Sequence, residues 1–333
     1  MSSLKLSILD QSPTVLGKTE QDALQESVHL ARLGEKLGYH RYWIAEHHDL
    51  KGLACPAPEV MLGIIGSQTE SIRIGAGAIL LPHYKPYKVA ETFNLLATLY
   101  PNRIDLGLGR SPGGSAEASL ALSENFLENV RKMPADIDEL LNFLYLTFPD
   151  DHMFSKVKPT PVPETPPETW LLGTSEKSAI LAGEKGMRYT FGHFMSDVNG
   201  PEIVSTYRKK LKENRQDTTN DVIVAVSAFC AETDEEANDL AMSHFVASVK
   251  RGKGEKIQLL SPSELTEIQL TDEEKEEIEA MKKKQIIGSP GVVKAKLKQL
   301  QKEYDTDEFM ILTNTYNYET RRKSYELIAS ELL

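Results

Sequence analysis

The stretch IRIGAGAILLPHYKPYKVAETFNLLATLYPNRIDLGLG, residues 72–109, joins two apolar, β-prone runs through one helical pattern. The runs cover 72–81 and 103–109, and both are apolar along nearly their whole length. Between them Val89, Phe93, Leu96 and Tyr100 recur at helical spacing, and Pro101 ends the helix. Continuous apolar strands are typical of parallel sheets that are buried on both faces. The stretch therefore predicts a strand–helix–strand unit.

The same alternation extends along the whole chain. It predicts eight strands, over residues 4–9, 40–46, 72–81, 103–109, 169–173, 188–194, 221–229 and 308–313. Helical patterns separate them, over 20–37, 57–67, 85–100, 120–148 in part, 175–185, 202–213, 234–248, 290–302 and 319–330. Eight buried strands with helices between them favour an α/β fold of the closed (β/α)₈ TIM barrel type. A doubly wound open sheet is the alternative.

Two stretches interrupt this rhythm. Residues 158–169, KPTPVPETPPET, hold five prolines, which exclude a helix and a central strand. We expect an extended surface loop within a single domain of residues 1–333, rather than a linker. Residues 249–289 follow the seventh strand and are rich in Lys, Gly and Ser. They predict an insertion with one capped helix at TDEEKEEIEAMKKK, which is either a lid over the site or a disordered surface loop.

Composition excludes several classes of protein. The 333 residues carry a formal net charge of −11, which argues against a nucleic-acid partner because phosphate binding needs a basic surface. The two cysteines, Cys55 and Cys230, are far apart, so neither a disulfide framework nor a thiolate zinc site is expected. The N-terminus lacks a signal pattern, and no apolar run is long enough to span a bilayer. We expect a cytoplasmic protein without a membrane partner.

Two adjacent histidines follow the second predicted strand, in YWIAEHHDLKG, residues 42–52. The carboxyl ends of the strands carry the catalytic groups in (β/α)₈ barrels, and imidazole suits a base near neutral pH. A metal site is the weaker interpretation, because His47 and His48 would point to opposite faces of a strand and no HxH, HExxH or Cys cluster occurs. A structural pair bonded to Glu46 or Asp49 is the plain alternative.

Glycines mark the ends of two further strands. GLGRSPGG, residues 107–114, has Pro112 where a dinucleotide fingerprint needs its third glycine, so it predicts a tight turn. Arg110, just past the strand, is nevertheless placed to reach an anion at the barrel mouth. In GAGAILLP, residues 75–82, two glycines weaken a buried strand, which indicates a flat ligand close to the backbone or, equally, a bulge or close helix packing.

A hydroxyl-rich turn follows the fifth predicted strand, in LLGTSEKSA, residues 171–179. The strand ends at Gly173, and Thr174, Ser175 and Ser178 gather at the first turn of the next helix. Free N–H groups, the helix dipole and hydroxyls together make a phosphate cradle. Ordinary N-capping is the alternative, although one hydroxyl would suffice for it.

Taken together, these stretches resemble the bacterial luciferase-like monooxygenase family of flavin enzymes. The resemblance covers nearly the whole chain, through RYWIAEHH, IRIGAGAILLPHYKPYKVAE, PNRIDLGLGRSPGG, LLGTSEKSA, GMRYTFGHF, AETDEEA, IIGSPGVV, DEFMILTNTY and RRKSYELIA. It implies a (β/α)₈ barrel that binds FMN at the carboxyl ends of its strands.

The resemblance also implies roles for single residues. His47 would be the base that assists oxygen activation near the flavin, and Gly77–Ala78 matches a non-prolyl cis peptide against the isoalloxazine ring. The remaining implied cofactor contacts are Gly109, the phosphate-reaching Arg110, and the phosphate cradle of Gly173, Thr174, Ser175 and Ser178. His193 falls where bacterial luciferase has an aromatic residue beside the flavin, so this part of the wall departs from the pattern.

The implied function is an FMN-dependent monooxygenase acting with O₂ on a small organic substrate, an aldehyde among the candidates. A separate flavin reductase would supply reduced FMN, and a homodimer would pack through helices near the second and third strands. Three alternatives stay open: hydride transfer with a deazaflavin, a flavin-binding relative without catalysis, and a barrel glycosidase that uses two carboxylates such as Glu46 and Asp105.

Overall fold

The computed structural model describes residues 4–214, 222–255 and 257–333. Nine strands lie in these ranges: β1 Lys5–Asp10, β2 Arg41–Ile44, β3 Arg73–Leu80, β4 Ile104–Gly109, β5 Glu168–Gly173, β6 Arg188–Gly192, β7 Val222–Cys230, β8 Ile286–Gly288 and β9 Glu308–Leu312. Residue 221, where we expected the seventh strand to begin, lies outside the described residues.

Eight of these strands close into a parallel barrel. Each strand from β1 to β6 pairs with the strand that follows it in the chain, so that β6 pairs with β7. The ring closes because β7 pairs with β9 and β9 pairs with β1. This closure confirms the (β/α)₈ barrel, and the open doubly wound sheet was wrong because no edge is left between β6 and β7. The short strand β8, which the sequence did not predict, pairs with the end of β7 outside the ring.

Twelve α-helices lie in the described ranges: α1 Glu20–Leu37, α2 Pro58–Ser67, α3 Pro86–Leu99, α4 Ala116–Leu122, α5 Phe126–Tyr145, α6 Glu176–Glu184, α7 Gly200–Asn214, α8 Asp234–Gly252, α9 Pro262–Leu265, α10 Asp272–Lys282, α11 Pro290–Tyr304 and α12 Tyr318–Leu332. Several begin with a capping box, such as the one between Thr19 and Asp22 that starts α1. The stretch 158–167 contains no helix or strand, and β5 begins directly after it.

Side chains fill the interior of the barrel. Trp43 and Trp170 meet edge to face with ring centroids 5.5 Å apart, and Leu9, Ile223 and Met310 pack in the same cluster. A packed interior is normal for this fold and leaves the ligand site to the loops at the carboxyl ends of the strands.

Ion pairs close the opposite, amino-terminal end of the barrel. The Arg41 guanidinium lies 2.8 Å from Asp105, 3.1 Å from Glu168 and 2.9 Å from Glu308. Arg73 makes a second pair with Asp105 at 2.5 Å. Burial alone would raise the pKa of Asp105, but the neighbouring guanidinium groups hold that pKa below its ordinary value.

The segment 249–289 begins with the last turn of α8, which extends to Gly252, and then contains α9, α10 and β8. Ile278 of α10 is buried against Phe229, Phe245 and Val249 of β7 and α8. At the start of α10, Glu274 lies 3.0 Å from Lys250 of α8. The segment is therefore packed on α8 through its own small hydrophobic cluster, and its role as a lid stays a prediction.

Candidate functional site

The carboxyl ends of the strands surround a cavity of about 530 Å³. This volume is within the range of pockets that bind cofactors and small molecules. Eight of the ten residues that the sequence singled out line the cavity: His47, Gly77, Ala78, Gly109, Arg110, Gly173, Thr174 and Ser178. The other two, Ser175 and His193, lie beside it. The strand order thus brings together residues from four distant parts of the chain.

His47 follows the end of β2 and lines the cavity. Its backbone N–H donates to the carbonyl of Cys55 at 2.9 Å, which fixes the chain at this point. Its Nδ1 is buried and has no hydrogen-bond partner among the described residues. Burial, with smaller contributions from the charges of His48 and Arg251, lowers the pKa of His47 to about 4. The ring is therefore neutral near pH 7, the form that can accept a proton.

His48 has a different environment from its neighbour. Its Nε2 lies 2.7 Å from Oε1 of Glu46, and its backbone N–H donates to the carbonyl of Gly113 at 2.8 Å. Glu46 also accepts from the hydroxyl of Tyr84 at 2.7 Å and the backbone N–H of Leu80 at 3.0 Å. His48 therefore ties the ends of three strands together, as the structural interpretation of the pair predicted, while His47 faces the cavity.

The cavity wall at β3 is bare backbone. The Gly77–Ala78 peptide is cis, at the position that the family resemblance implied. The pairing of β3 with β4 shifts register between Ala76 and Ile79, so this peptide lies in a bulge. A Cβ atom on Gly77 would lie 2.9 Å from Leu9 Cδ1 and 3.2 Å from Trp43 Cβ, so a larger residue would force these neighbours to shift. A flat ligand can approach this backbone closely.

Two features give the cavity an anion-binding end. Arg110 is exposed at the end of β4 and forms no ion pair with any described residue. Thr174 lines the cavity directly before α6, whose first N–H groups and positive dipole end point the same way. Ser175 and Ser178 cap each other's backbone N–H groups at 3.4 and 3.2 Å, so part of this hydroxyl cluster serves the helix itself.

His193 does not face the cavity. Its Nδ1 lies 2.7 Å from the hydroxyl of Tyr304, and the two rings meet edge to face. The next two residues, Phe194 and Met195, line the cavity instead. The aromatic side chain that this strand end contributes is therefore Phe194, one position beyond the residue that the resemblance implied.

The sequence matches the family model described as luciferase-like monooxygenase over residues 5–307. The chain belongs to the luciferase-like monooxygenase family. This confirms the resemblance, and the named monooxygenases of the family make the protein an oxidoreductase.

Family members similar to this chain include two from Bacillus subtilis. The uncharacterized protein YceB is 41% identical over 330 residues, covering 99% of this chain and 100% of its own. N-acetyl-S-alkylcysteine monooxygenase is 36% identical over 338 residues, covering 99% and 98%. Among solved structures, apo-MsnO8 is 31% identical with a TM-score of 0.86, covering 99% of this chain and 98% of its own.

Two more distant structures share the luciferase-like fold with different cofactors. The oxygenating constituent of 3,6-diketocamphane monooxygenase from Pseudomonas putida, in complex with FMN, has a TM-score of 0.74 at 19% identity and covers 99% of this chain and 98% of its own. An F420-dependent secondary alcohol dehydrogenase has a TM-score of 0.72 at 12% identity and covers 100% of both chains. At these identities the likeness shows the fold alone.

Sequence reasoning missed several residues that line the cavity of this family member. Gln11 follows β1 and Thr190 lies within β6. The Oγ1 of Thr190 is buried and finds no partner in the described part of the chain. A search for polar residues at every strand end would have found Gln11. Phe126, Leu127 and Val130 come from α5, whose return across the mouth no local pattern indicates.

The structure excludes the carboxylate pair of the glycosidase alternative. Asp105 is the second residue of β4 and is bound at the amino-terminal end of the barrel by Arg41, Arg73 and the indole N–H of Trp43, the last at 2.9 Å. Glu46 lies beyond the opposite end of β2. Two carboxylates at opposite ends of a barrel cannot flank one glycosidic bond.

Neither a metal-ligating group nor a membrane-spanning helix occurs in the described part of the chain. No group of three or more His, Cys, Asp or Glu residues there could hold a metal ion. No described helix is both long and apolar enough to cross a membrane.

Proposed function

We propose that this protein is an FMN-dependent monooxygenase that uses reduced FMN and O₂ to oxidise a small organic substrate. The observation that carries the proposal is one cavity with three features: a neutral histidine after β2, a wall of bare backbone at β3, and an arginine beside a helix N-terminus. Among the described residues, neither Nδ1 of that histidine nor the charge of that arginine has a partner. These features fit FMN, which has a flat ring and a phosphate tail. The bare backbone suits the ring, the histidine lies beside the ring, and the arginine at the helix N-terminus suits the phosphate.

Different residues of the chain would hold the ring, bind the phosphate, transfer a proton and exclude water. The backbone of Gly77 and Ala78 would support the ring, and Arg110 with Thr174 and the start of α6 would hold the phosphate. His47 holds or moves a proton beside the ring. Apolar side chains, among them Leu9, Leu172, Phe194 and Met310, exclude water from the reaction. FMN itself supplies the reactivity toward oxygen.

The partners follow from this chemistry. The reduced cofactor would come from a separate flavin reductase, and the substrate from the cytoplasm. A relative that is 36% identical is named for N-acetyl-S-alkylcysteine, so a thioether joins an aldehyde as a substrate to test.

We also propose a homodimer, because apolar side chains are exposed on α2 and α3: Val60 by 60%, Ile64 by 47%, Leu95 by 47% and Leu99 by 58%.

Arg110 gives the direct test of the cofactor. In the Arg110→Ala variant we expect FMN to bind about tenfold to a hundredfold more weakly, because the phosphate loses a charge-assisted partner. Riboflavin, which has no phosphate, should bind both proteins equally. Fluorescence titration measures both ligands, and Arg32→Ala, which removes an exposed arginine of α1, is the matched control. Wild-type protein that binds neither oxidised nor reduced FMN would refute the proposal.

Hydride transfer with a deazaflavin is the second candidate, because a distant structural neighbour uses F420. Parallel titrations with FMN and F420 separate the two cofactors. Oxygen consumption in the presence of a flavin reductase and NADH, with and without a thioether or an aldehyde, then separates a monooxygenase from a flavin-binding relative without catalysis.

A further inference from the structure

Among the described residues, two charged side chains line the cavity, Glu46 and Arg110. The carboxylate of Glu46 already accepts from His48, from the hydroxyl of Tyr84 and from the backbone N–H of Leu80. Arg110 would be occupied by the phosphate of FMN. The described wall would then offer no free charge to a second ligand, and an unpaired charge buried against it would cost free energy. The cavity therefore favours an uncharged substrate.

Gln11 offers a hydrogen bond from this wall. It directly follows β1, is half-buried and lines the cavity. Its Oε1 accepts from Nδ2 of Asn314 at 2.8 Å, and Asn314 is itself buried just beyond β9, the strand that pairs with β1. No described residue accepts from Nε2 of Gln11, so this amide nitrogen is free to donate to a ligand in the cavity.

The other uncharged polar side chains of the described lining are used or shielded. Ser178 caps α6, and Thr174 lies just before that helix, at the proposed phosphate end. Oγ1 of Thr190 is buried, and Ser111 lies at the exposed rim. Gln11 is therefore the polar side chain that this lining leaves for a substrate.

The turn after β1 holds Gln11 in place. Ser12, the next residue, has a φ of 50°, in the left-handed region that residues other than glycine seldom adopt. Its N–H donates to the carboxylate of Asp10 at 2.7 Å, and its hydroxyl lies 2.8 Å from that of Ser27. Asp10 is fully buried and paired with Arg321 at 2.7 Å. Such a conformation persists where its surroundings impose it, and it occurs often at ligand sites.

Apolar side chains accompany Gln11 on this side of the cavity. Leu9 precedes it by two residues and also lines the cavity, as do Met310 of β9 and Ala45 just after β2. His47 follows Ala45 by two residues, so the proposed base and the amide come from the ends of two paired strands. A ligand bound here would meet one N–H donor on an apolar wall, close to the base.

We propose that Gln11 is a specificity-determining residue, whose amide nitrogen donates a hydrogen bond to an uncharged acceptor oxygen, such as a carbonyl, of the organic substrate. Asn314 is the positioning residue, because it occupies Oε1 and so turns Nε2 toward the cavity. The substrate class is an uncharged compound with an apolar body and one acceptor oxygen. This inference deepens the proposed function and rests on it for the identity of the ligand as a substrate.

A pair of uncharged probes tests the amide directly. Acetophenone and α-methylstyrene have nearly the same shape, but only acetophenone has a carbonyl oxygen. Calorimetric titration gives the ratio of their dissociation constants for each protein, without flavin and with saturating oxidised FMN. In Gln11→Met, which keeps the length of the side chain without the donor, we expect this ratio to shift about threefold to tenfold against acetophenone, the usual effect of one neutral hydrogen bond.

Further variants locate the effect. Asn314→Leu should shift the ratio in the same direction by a smaller factor, because Gln11 keeps its donor but loses the partner that orients it. A purely structural role of Asn314 would weaken both probes alike. Gln25→Met, at an exposed position of α1, is the matched control and should keep the ratio of the wild type. An unchanged ratio in Gln11→Met, or no binding of acetophenone to the wild type, would overturn the proposal.

Benzoate tests the charge of the substrate class. With FMN bound, Arg110 is occupied, so we expect benzoate to bind at least tenfold more weakly than acetophenone. Benzoate that binds the FMN complex as tightly as acetophenone does would overturn the uncharged substrate class.

FMN titration of the same variants distinguishes the substrate from the flavin ring, which also carries carbonyl oxygens. Gln11→Met should bind FMN within about threefold of the wild type. A tenfold loss of FMN affinity in Gln11→Met would assign the amide to the cofactor and overturn its role toward the substrate. A wild type that binds no FMN would refute the monooxygenase, while the probe ratio in the flavin-free protein still decides the role of Gln11.

Discussion

At the scale of single residues, two adjacent histidines have different roles because the chain leaves β2 before it reaches them. Their strand ends at Ile44, so the rule that neighbours in a strand alternate between faces did not apply to them. His48 is held by Glu46, and His47 faces the cavity. The local sequence supplies both rings, but only the tertiary positions of Tyr84 and Gly113 decide which one is structural.

The His47→Ala variant separates cofactor binding from proton transfer. We expect turnover with reduced FMN, O₂ and a substrate to fall about 10²-fold to 10⁴-fold, the usual contribution of a positioned acid or base. FMN affinity should change less than threefold, because the proposed contacts to the ring and the phosphate are with Gly77, Ala78, Arg110 and Thr174. Stopped-flow kinetics measures turnover, and His29→Ala, at an exposed position of α1, is the control. Unchanged turnover would remove His47 from the mechanism.

The buried histidine His244 should make the protein less stable in mild acid. Its pKa is about 4 in the folded state and about 6.5 when unfolded, so below pH 6.5 the unfolded chain binds a proton that the native state refuses. Stability therefore falls as the pH drops from 6.5 toward 4. Between pH 7.5 and 5.0 the loss from this one group is about 2 kcal/mol.

Urea unfolding of His244→Gln at the two pH values measures that contribution. The variant should lose about 2 kcal/mol less than the wild type between pH 7.5 and 5.0, because glutamine does not titrate in this range. His29→Gln, which removes an exposed histidine, should follow the wild type. Parallel pH profiles for His244→Gln and the wild type would contradict the explanation.

At the scale of elements, sequence patterns succeeded where a local signal marks a boundary. The capping box of Thr271 and Glu274 indicated α10, and Pro101 marked the end of α3 closely. The pattern failed for β8, which has only three residues and forms because β7 extends beyond the barrel. Pro134 lies inside α5, where a helix interior would not be expected from the sequence.

Ile278 attaches α10 to the body of the protein. It is 2% exposed and packs among Phe229, Phe245 and Val249, so Ile278→Ala should destabilise this attachment by about 2–4 kcal/mol. Trypsin should then cut faster near Lys282–Lys284, and the barrel should stay folded. The exposed Glu277→Ala on the same helix is the control.

Digestion of the wild type with and without FMN tests the lid in the same assay. A lid that orders over the cofactor should be cut more slowly when FMN is present. Identical cleavage of the segment in both conditions would count against a lid.

At the scale of the whole molecule, the barrel could be predicted because each of its eight strands is marked by a short apolar run in the local sequence. The convergence of the site followed from the fold, since the carboxyl ends of parallel strands meet. The contribution of α5 to the cavity could not be predicted, because nothing in the local sequence of Phe126, Leu127 and Val130 indicates that this helix returns to the mouth.

The ion network at the amino-terminal end should contribute strongly to global stability. Asp105→Asn leaves Arg41 and Arg73 with less buried counter-charge, so we expect a loss of about 3–5 kcal/mol in the free energy of unfolding. FMN affinity should stay the same, because Asp105 is far from the cavity. Asp138→Asn, which breaks the exposed pair with Lys185, should cost about 1 kcal/mol or less. A loss no larger than that of the control would contradict the role of the network.

Among the described residues, the packed tryptophans and the ion pairs at the amino-terminal end close the barrel from below, so the cavity opens at the carboxyl ends of the strands. Under the proposed function, the cofactor, oxygen and the organic substrate would all enter and leave through this opening, so an occupant near the mouth would block one that lies deeper. A shared opening would impose an order of binding and release, in which the deepest occupant enters first and leaves last. We therefore expect the rate of turnover to depend on the order of binding and release as much as on the chemical step.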